Sequence, residues 1–212
     1  AVASVTGGWH GRTVATLACC DGRSYEAGAL RAGMALSARV AFDDVASLDA
    51  VLDDTMAALI VEPVQGMAGA RDCSPEFLAA ARRLCTERGI ALLFDEVQCG
   101  VGRSGAFTAA ELYGVVPDGL TLAKGLGSGY PIGAVVAGPM LATGIGVGDL
   151  GSTFGGGPVA CAAALATLSV IADEDLTGNA ASVGAHIAAG AWLWSGVAIN
   201  TAHELGHKQP KV

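Results

Sequence analysis

Short apolar runs along the chain predict the strands of a buried sheet. Four of them, each four or five residues long, lie at Ala57–Val61, Ile90–Phe94, Leu120–Ala123 and Gly133–Ala137. The run Ile90–Phe94 has no polar position, which is expected for a strand covered on both faces. Val14–Cys20 is a further short apolar segment.

Helical periodicity separates these runs. Ser74 can cap a helix and Pro75 suits the first helical position; apolar residues then recur on one face until Gly89 ends the pattern. That face consists of Phe77, Leu78, Ala81, Leu84 and Cys85. Three other segments are also predicted to be helical: Ser47–Asp54, Ala109–Tyr113 and Pro158–Ala172.

The alternation of strands and helices is typical of βαβ units. The predicted fold class is therefore α/β, with a mainly parallel sheet and flanking helices. Three ionisable residues come directly after predicted strands: Glu62, Asp95 and Lys124. Because ligands of such sheets bind outside the carboxyl ends of the strands, these side chains should open toward one edge of the sheet.

Length, charge and cysteine usage limit the classes of partner. The chain has 212 residues, which suits one domain with a sizeable core. Lys and Arg number 12 against 20 for Asp and Glu, a net charge of −8 without a basic stripe, so nucleic acid is not an expected partner. Six cysteines without a CxxC pair, and no signal segment at the start, favour a reduced cytoplasmic compartment. The apolar stretch 183–199 is short and contains a histidine, so no membrane partner is expected.

Asp95 and Lys124, 29 positions apart, form a pair that suits pyridoxal phosphate. A buried carboxylate holds the proton on the pyridine nitrogen, which the ring needs in order to act as an electron sink. A lysine in an apolar pocket forms a Schiff base with the aldehyde, and then serves as the base that moves the substrate's α-proton. The alternatives are a solvated surface lysine and an aspartate that only caps a turn, and Glu96 is expected to brace that turn.

Five sequence blocks carry a family resemblance. In chain order they are GGWHGRT, AALIVEPVQGMAGA, DEVQCGVGRSGAF, LTLAKGLGSGYPIGAVVAG and LGSTFGGGPVACAAAL, within roughly residues 5–190. Together they resemble the class III, pyridoxal-phosphate-dependent aminotransferases, and among these the acetylornithine and ornithine aminotransferases. The resemblance implies residues 1–188 to be part of the large, cofactor-binding domain of a fold type I transferase that forms homodimers. Because family members are about twice as long, an internal fragment is expected, without the family's first phosphate-binding loop or its small domain.

The resemblance also implies roles around the cofactor. Val97 would lie on one face of the pyridine ring and Trp9 on the other, where relatives carry Phe or Tyr. Gln98 would bond to the phenolic oxygen. Thr153 would reach the phosphate in the partner subunit's site, although Gly157 replaces the usual Asn and could loosen this loop.

Three more residues match positions at the substrate end of the family's site: Arg12, Glu62 and Ser152. For Arg12 and Glu62, a turn-bracing arginine and a strand-end carboxylate are equally open interpretations. Met67 stands where many relatives carry an acid, which bears on substrate preference. The implied reaction moves an amino group from N-acetylornithine or a similar terminal-amine donor to 2-oxoglutarate. The alternatives are a metal-dependent hydroxylase or protease based on the tail, and an inactive fragment.

Residues 189–212 are expected to form a discordant tail, because the family pattern stops there. His203 to His207 read HELGH, an HExxH pattern that on a helix places two imidazoles on one face, within reach of one metal ion. The longer string AINTAHELGHK also resembles a histidine box of membrane alkane hydroxylases. Zinc proteases need a third ligand, and only five residues follow His207, so no metal site is expected.

Overall fold

The computed structural model describes residues 1–185. The strands in chain order are β1 (Val2–Val5), β2 (Ala38–Val40), β3 (Ala58–Val61), β4 (Val64–Gln65), β5 (Arg71–Asp72), β6 (Ala91–Asp95), β7 (Gly119–Leu122) and β8 (Ala134–Ala137). The helices are α1 (Val14–Cys19), α2 (Arg23–Arg31), α3 (Val45–Val51), α4 (Pro75–Arg88), α5 (Ala109–Tyr113), α6 (Pro139–Ala142) and α7 (Pro158–Asp173), with a 3-10 helix at Lys124–Gly127.

The central sheet has six strands in the order β2-β1-β3-β6-β7-β8. All neighbours run parallel except β8, which is antiparallel to β7. The predicted mainly parallel α/β architecture is confirmed, and the four predicted strands are present within one residue of their expected ends. A separate antiparallel ribbon, β4–β5, follows Glu62.

Helix α4 forms as its sequence predicts. The Ser74 hydroxyl accepts the backbone N–H of Phe77 at 3.1 Å, and Gly89 ends the helix in the left-handed conformation, with φ 66°. All five residues of the predicted face are buried and belong to the same core cluster as strand residues Leu92 and Phe94. Each buried Leu or Phe contributes roughly 1.5–3 kcal/mol, so this face fixes α4 on the sheet.

Helix α3 begins and ends earlier than predicted. The Asp44 carboxylate accepts the N–H groups of the first turn at 2.9 and 3.1 Å, so the helix starts before the predicted segment Ser47–Asp54. The Asp53 carboxylate accepts the Thr55 N–H at 2.9 Å, which draws the end of that segment into a turn. The apolar segment Val14–Cys20 is helix α1.

Candidate active site

Glu62, Asp95 and Lys124 lie at one edge of the central sheet. Glu62 follows β3 directly, Asp95 is the last residue of β6, and Lys124 stands two residues after β7. Strands β3, β6 and β7 are parallel neighbours, and Asp95 pairs in register with Thr121, three residues before Lys124. The predicted convergence of the three side chains at the carboxyl ends of the strands is confirmed.

Both carboxylate oxygens of Asp95 have hydrogen-bond partners. Oδ2 lies 2.9 Å from Nδ1 of His10. Oδ1 accepts the Thr121 hydroxyl at 3.1 Å and the Val97 backbone N–H at 3.2 Å. Only 7% of Asp95 is exposed, and a buried carboxylate is costly unless its oxygens are paired. The carboxylate is therefore held in one orientation, and through Val97 it also braces the turn after β6.

Glu96 is a structural neighbour of this carboxylate. Its side chain is fully buried and accepts the backbone N–H groups of Ala109 and Ala110 at 2.6 and 2.9 Å. Burial raises the pKa of Glu96, and the two N–H bonds at the start of α5 oppose that rise. Glu96 was expected to brace the turn after β6; its carboxylate instead caps the first turn of α5.

Lys124 opens the 3-10 helix with a left-handed backbone, at φ 41°. This conformation costs a residue with a Cβ about 1 kcal/mol or more, so the surrounding turn must hold it. The Nζ amine donates to Oε1 of Gln98 at 3.0 Å. The expectation of an apolar pocket was wrong for this chain, because Lys124 is exposed. Strand β7 ends two residues earlier, and the turn carries the side chain beyond the cover of the sheet.

Gly66 makes room for Gln98 beside Lys124. A Cβ at position 66 would lie 2.1 Å from Nε2 and 2.4 Å from Cδ of Gln98, too close for any packed structure. A cavity of about 600 Å³ opens here, with Gly66, Gln98, Arg103 and Lys124 among its lining residues. This volume lies within the range of sites that bind small molecules.

Glu62 is a buried acid that titrates near neutrality. It is 3% exposed, and Oε2 accepts the backbone N–H of Trp9 at 2.7 Å. Burial raises the pKa of Glu62 to about 7. The bond from Trp9 and the proximity of His10 and Lys124 lower this pKa, whereas nearby Asp95 raises it. The pKa of Glu62 therefore depends on the charges of the other ionisable groups at this edge.

The segment between β1 and α1 carries Trp9 and Arg12. The Trp9 ring meets Tyr25 edge to face, with centroids 4.7 Å apart and planes at 61°. The Arg12 guanidinium lies 5.2 Å from the centroid of the Trp9 ring, a cation–π contact. Arg12 is exposed, and its contact with Trp9 is compatible with both of its interpretations.

His10 belongs to the candidate site although the sequence did not indicate it. Its side chain is 1% exposed, and its ring faces Asp95 across 85 positions of sequence. No spacing rule relates residues that far apart. The one available signal was the place of His10 next to Trp9 in the block GGWHGRT.

Ser152 and Thr153 are not brought to the other candidates in the described part of the chain. Both are exposed, in the stretch between α6 and α7, where the Ser152 hydroxyl accepts the Gly155 N–H at 3.0 Å. Gly157 is the N-cap of α7 and makes no side-chain cap bond, so an Asn there would add one that this chain lacks. The roles expected for Ser152 and Thr153 concern a partner subunit and stay predictions.

Two expected absences concern metals and membranes. Among residues 1–185, no group of three or more His, Cys, Asp or Glu side chains could hold a metal ion. No helix in that range is long and apolar enough to span a bilayer. The HELGH pattern, the tail 189–212 and the end of the stretch 183–199 lie outside the described residues, and the interpretations given for them stay predictions.

The sequence has extensive family similarity. Residues 1–191 match the family model described as Aminotransferase class-III. The acetylornithine aminotransferase of Methanocaldococcus jannaschii is 46% identical over 172 residues, which cover 80% of this chain and 42% of that protein. Acetylornithine aminotransferase 1 of Bordetella pertussis is 43% identical over 183 residues, covering 84% and 46%. The chain thus spans under half the length of these relatives.

Solved structures share the fold. The ornithine aminotransferase of Toxoplasma gondii ME49 superposes with a TM-score of 0.77 and 33% identity, covering 87% of this chain and 44% of that chain. An amine transaminase from an uncultivated Pseudomonas species, solved in its PLP-bound form, gives the same TM-score and identity, covering 87% and 48%.

Proposed function

The chain belongs to the class-III aminotransferase family, and we propose that it carries the cofactor lysine and the ring-nitrogen carboxylate of a pyridoxal-phosphate-dependent aminotransferase. The prediction of the α/β fold of fold type I transferases is confirmed by the structural matches. One observation carries the proposal. A buried Asp95, with hydrogen bonds at both carboxylate oxygens, and an accessible Lys124 amine lie at the ends of adjacent strands.

The residues at this edge fit the chemistry of pyridoxal phosphate. When bound, this cofactor supplies an aldehyde that condenses with amines and a protonated ring that accepts electrons from the substrate's α-carbon. An anionic carboxylate and a primary amine are the two groups that such a ligand requires of the protein. Asp95 and Lys124 provide them, and the cavity of about 600 Å³ beside Lys124 gives a small molecule access.

Asp95 would hold the proton on the pyridine nitrogen. Its two oxygens are fixed by the Thr121 hydroxyl, the Val97 N–H and the His10 ring, so the negative charge stays at one place. An oriented charge of this kind costs no reorganisation when the substrate reacts. Val97 and Trp9 would bound the two faces of the ring, and the Gln98 amide would bond to its phenolic oxygen.

Lys124 would be the base of the reaction. Its amine is exposed toward the cavity edge and bonded only at Gln98 among the described residues, so it can take the α-proton of a bound amino acid and return it at a neighbouring atom. Because Glu62 titrates near pH 7, it can carry a proton or a charge close to Lys124. With Arg12 and Ser152, Glu62 would line the substrate end of the site.

The proposed substrates are N-acetylornithine or another terminal amine as donor and 2-oxoglutarate as acceptor. The sequence similarity to acetylornithine aminotransferases over about four-fifths of the chain supports the donor class. The proposed assembly is a homodimer in which Thr153 of one subunit contacts the cofactor phosphate held by the other. The exposed position of Thr153 is compatible with such a contact.

Reduction with borohydride tests the role of Lys124. The chain has three lysines, Lys124, Lys208 and Lys211, so peptide mapping after reduction with pyridoxal phosphate distinguishes them directly. We expect the pyridoxyl group on Lys124, with a yellow protein before reduction and loss of colour afterwards. The Lys124→Arg variant keeps the charge but has no primary amine, and should remain unlabelled. A label confined to Lys208 or Lys211 would refute the proposal.

A further inference from the structure

A second cavity opens between the Lys124 turn and helix α7. Its volume is about 580 Å³, and it is lined by the loop after β6, the turn 124–129 and the C-terminal half of α7 with Leu176. Arg103 and Lys124 also line the cavity at Gln98, whereas no residue of α7 does. The proposed function gives no role to this second space, which we call the α7-side cavity.

The α7-side cavity carries positive charge in an acidic chain. The chain has a net charge of −8, yet two cations, Arg103 and Lys124, are on the wall of this cavity, and no Asp or Glu of residues 1–185 is among its lining residues. The Arg103 side chain is exposed and forms no ion pair within that range. A concave surface lined by charges of one sign concentrates ligands of the opposite sign. The cavity therefore favours an anion.

The hydrogen-bonding groups beside the two cations agree with an anionic ligand. The Ser128 hydroxyl lines the cavity and is exposed, so its proton is available to a ligand. The Thr167 hydroxyl donates to the carbonyl oxygen of Ala163 at 2.9 Å and is already used. Asp175, next to the lining residue Leu176, accepts the Gly178 N–H at 3.2 Å, so its carboxylate is paired within its own turn. Ser128 thus adds a donor to the two cations.

The opposite character is found on the rest of the wall. Val101, Ile171 and Leu176 line the cavity with aliphatic side chains, and all three are partly buried. Val101 also packs on the small core cluster of Leu122, Leu126 and Ala164. A ligand that carries only charge would leave this apolar wall in contact with water. The wall therefore favours a ligand with an aliphatic part beside its charged group.

The backbone that shapes the cavity adopts an unfavourable conformation at three lining residues. Val101, Lys124 and Ser128 have left-handed φ values of 57°, 41° and 46°. This region is unfavourable for any residue with a Cβ and rare for a β-branched one such as Val101. Such conformations persist only where the surroundings hold them, and they concentrate at binding sites. A Cβ at Gly125 would lie 3.5 Å from Cβ of Val101, so the loop after β6 packs closely on the Lys124 turn and shapes the wall with it.

We propose that the α7-side cavity is a binding site for a small carboxylate with an aliphatic body. Arg103 binds the carboxylate through its planar pair of N–H donors, with Lys124 and the Ser128 hydroxyl as further donors. The aliphatic part packs on the three apolar wall residues. This site does not depend on the proposed function, and binding is measured on the full chain without pyridoxal phosphate.

Titration with hexanoate, followed by two-dimensional ¹H–¹⁵N NMR at constant ionic strength, tests the ligand class. We expect saturable shifts of the amides in 125–129 and 167–171, with a Kd on the order of 1 mM. Hexylammonium has the same chain with the opposite charge and should give no saturable shifts there. Inorganic phosphate, which has no apolar part, should bind at least about fivefold more weakly than hexanoate. No binding of hexanoate, equal binding of hexylammonium, or tighter binding of phosphate would each overturn the proposal.

The Arg103→Gln variant tests the cation. We expect hexanoate to bind roughly fivefold more weakly, because the bidentate, charge-assisted contact is lost. Arg83→Gln is the matched control, since Arg83 is also exposed but lies on α4, away from the cavity, and this variant should bind like the unmodified chain. Equal affinity of the two variants would refute the role of Arg103. Both changes are at exposed side chains, so we expect both variants to fold, which thermal unfolding checks.

Two tryptophan replacements locate the ligand, because Arg103 lines both cavities. Thr167→Trp narrows the α7-side cavity alone, and Leu112→Trp narrows the cavity at Gln98 alone. We expect the first variant to lose hexanoate binding by tenfold or more and the second to bind within about twofold of the unmodified chain. The reverse order would place the ligand at Gln98 and refute the inference. That result would leave the labelling of Lys124, which tests the proposed function, unaffected.

Discussion

The buried Glu62 should make the stability of this chain depend on pH in a predictable direction. Its pKa is raised from 4.5 to about 7 in the folded chain, and each pKa unit corresponds to about 1.36 kcal/mol. A raised pKa means that the folded state binds this proton more tightly than the unfolded state. The resulting stabilisation is complete below pH 4.5 and is lost as the pH rises to 7, a change of about 3 kcal/mol.

The Glu62→Gln variant isolates this contribution. Glutamine keeps a side-chain oxygen that can accept the Trp9 N–H, but it does not titrate. We therefore expect the variant to be about as stable as the unmodified chain at pH 4.5, and more stable by about 3 kcal/mol at pH 8. Above pH 7 the difference should stay constant.

Urea unfolding at half-unit pH steps measures the effect, and the difference between the two chains removes the contributions of all other groups. Glu87→Gln is the matched control, because Glu87 is exposed and, within residues 1–185, pairs with Arg83 on its own helix. Its curve should run parallel to that of the unmodified chain. If the Glu62→Gln difference does not change between pH 4.5 and 8, or falls with rising pH, burial does not raise the pKa of Glu62 as argued.

Three further predictions concern the site and its neighbours. Asp95→Asn keeps the shape but cannot hold the ring-nitrogen proton, so we expect transamination to fall by about 10² or more; near-normal turnover would reduce Asp95 to a turn residue. Gly66→Ala must displace the Gln98 side chain and weaken pyridoxal phosphate binding, whereas Gly151→Ala, whose Cβ meets open space, should bind like the unmodified chain. If both alanine variants bind pyridoxal phosphate equally well, the position of the Gln98 side chain does not matter for cofactor binding. Gly157→Asn should add a side-chain cap to α7 and stabilise the chain by a few tenths of a kcal/mol in thermal unfolding; destabilisation would show that an Asn side chain at this position does not cap the helix.

The sequence determined the elements that local chemistry specifies. Ser74, Pro75 and Gly89 set the ends of α4 through a cap bond, a preset φ and a left-handed exit, each of which depends on one residue type. The apolar runs that became β3, β6 and β7 are four or five residues long, a length that favours a covered strand over a helix. Because parallel strands end at the same edge, the meeting of Glu62, Asp95 and Lys124 followed from their positions after those runs.

The sequence pattern did not predict the short strands or helix α2, because these segments have no clear periodicity. Strand β1 contains a serine, β2 is three residues long with a central arginine, and β4 and β5 have two residues each. Such segments have no periodicity to detect, and only pairing with neighbours makes them strands. Helix α2 also lacked a clear apolar face, with one buried residue, Ala29.

Only the tertiary structure decided the environment of the site. The order β2-β1-β3-β6-β7-β8 brings the turn after β1 beside the ends of β3 and β6, and this adjacency puts His10 on Asp95 and Trp9 on Glu62. Burial then raises the pKa of Glu62 to about 7, while the turn at Lys124 leaves its amine exposed. The sequence determined which ionisable groups meet at this edge. Their partners, orientation and proton affinity depend on segments distant in the chain, because hydrogen bonding and desolvation act through space.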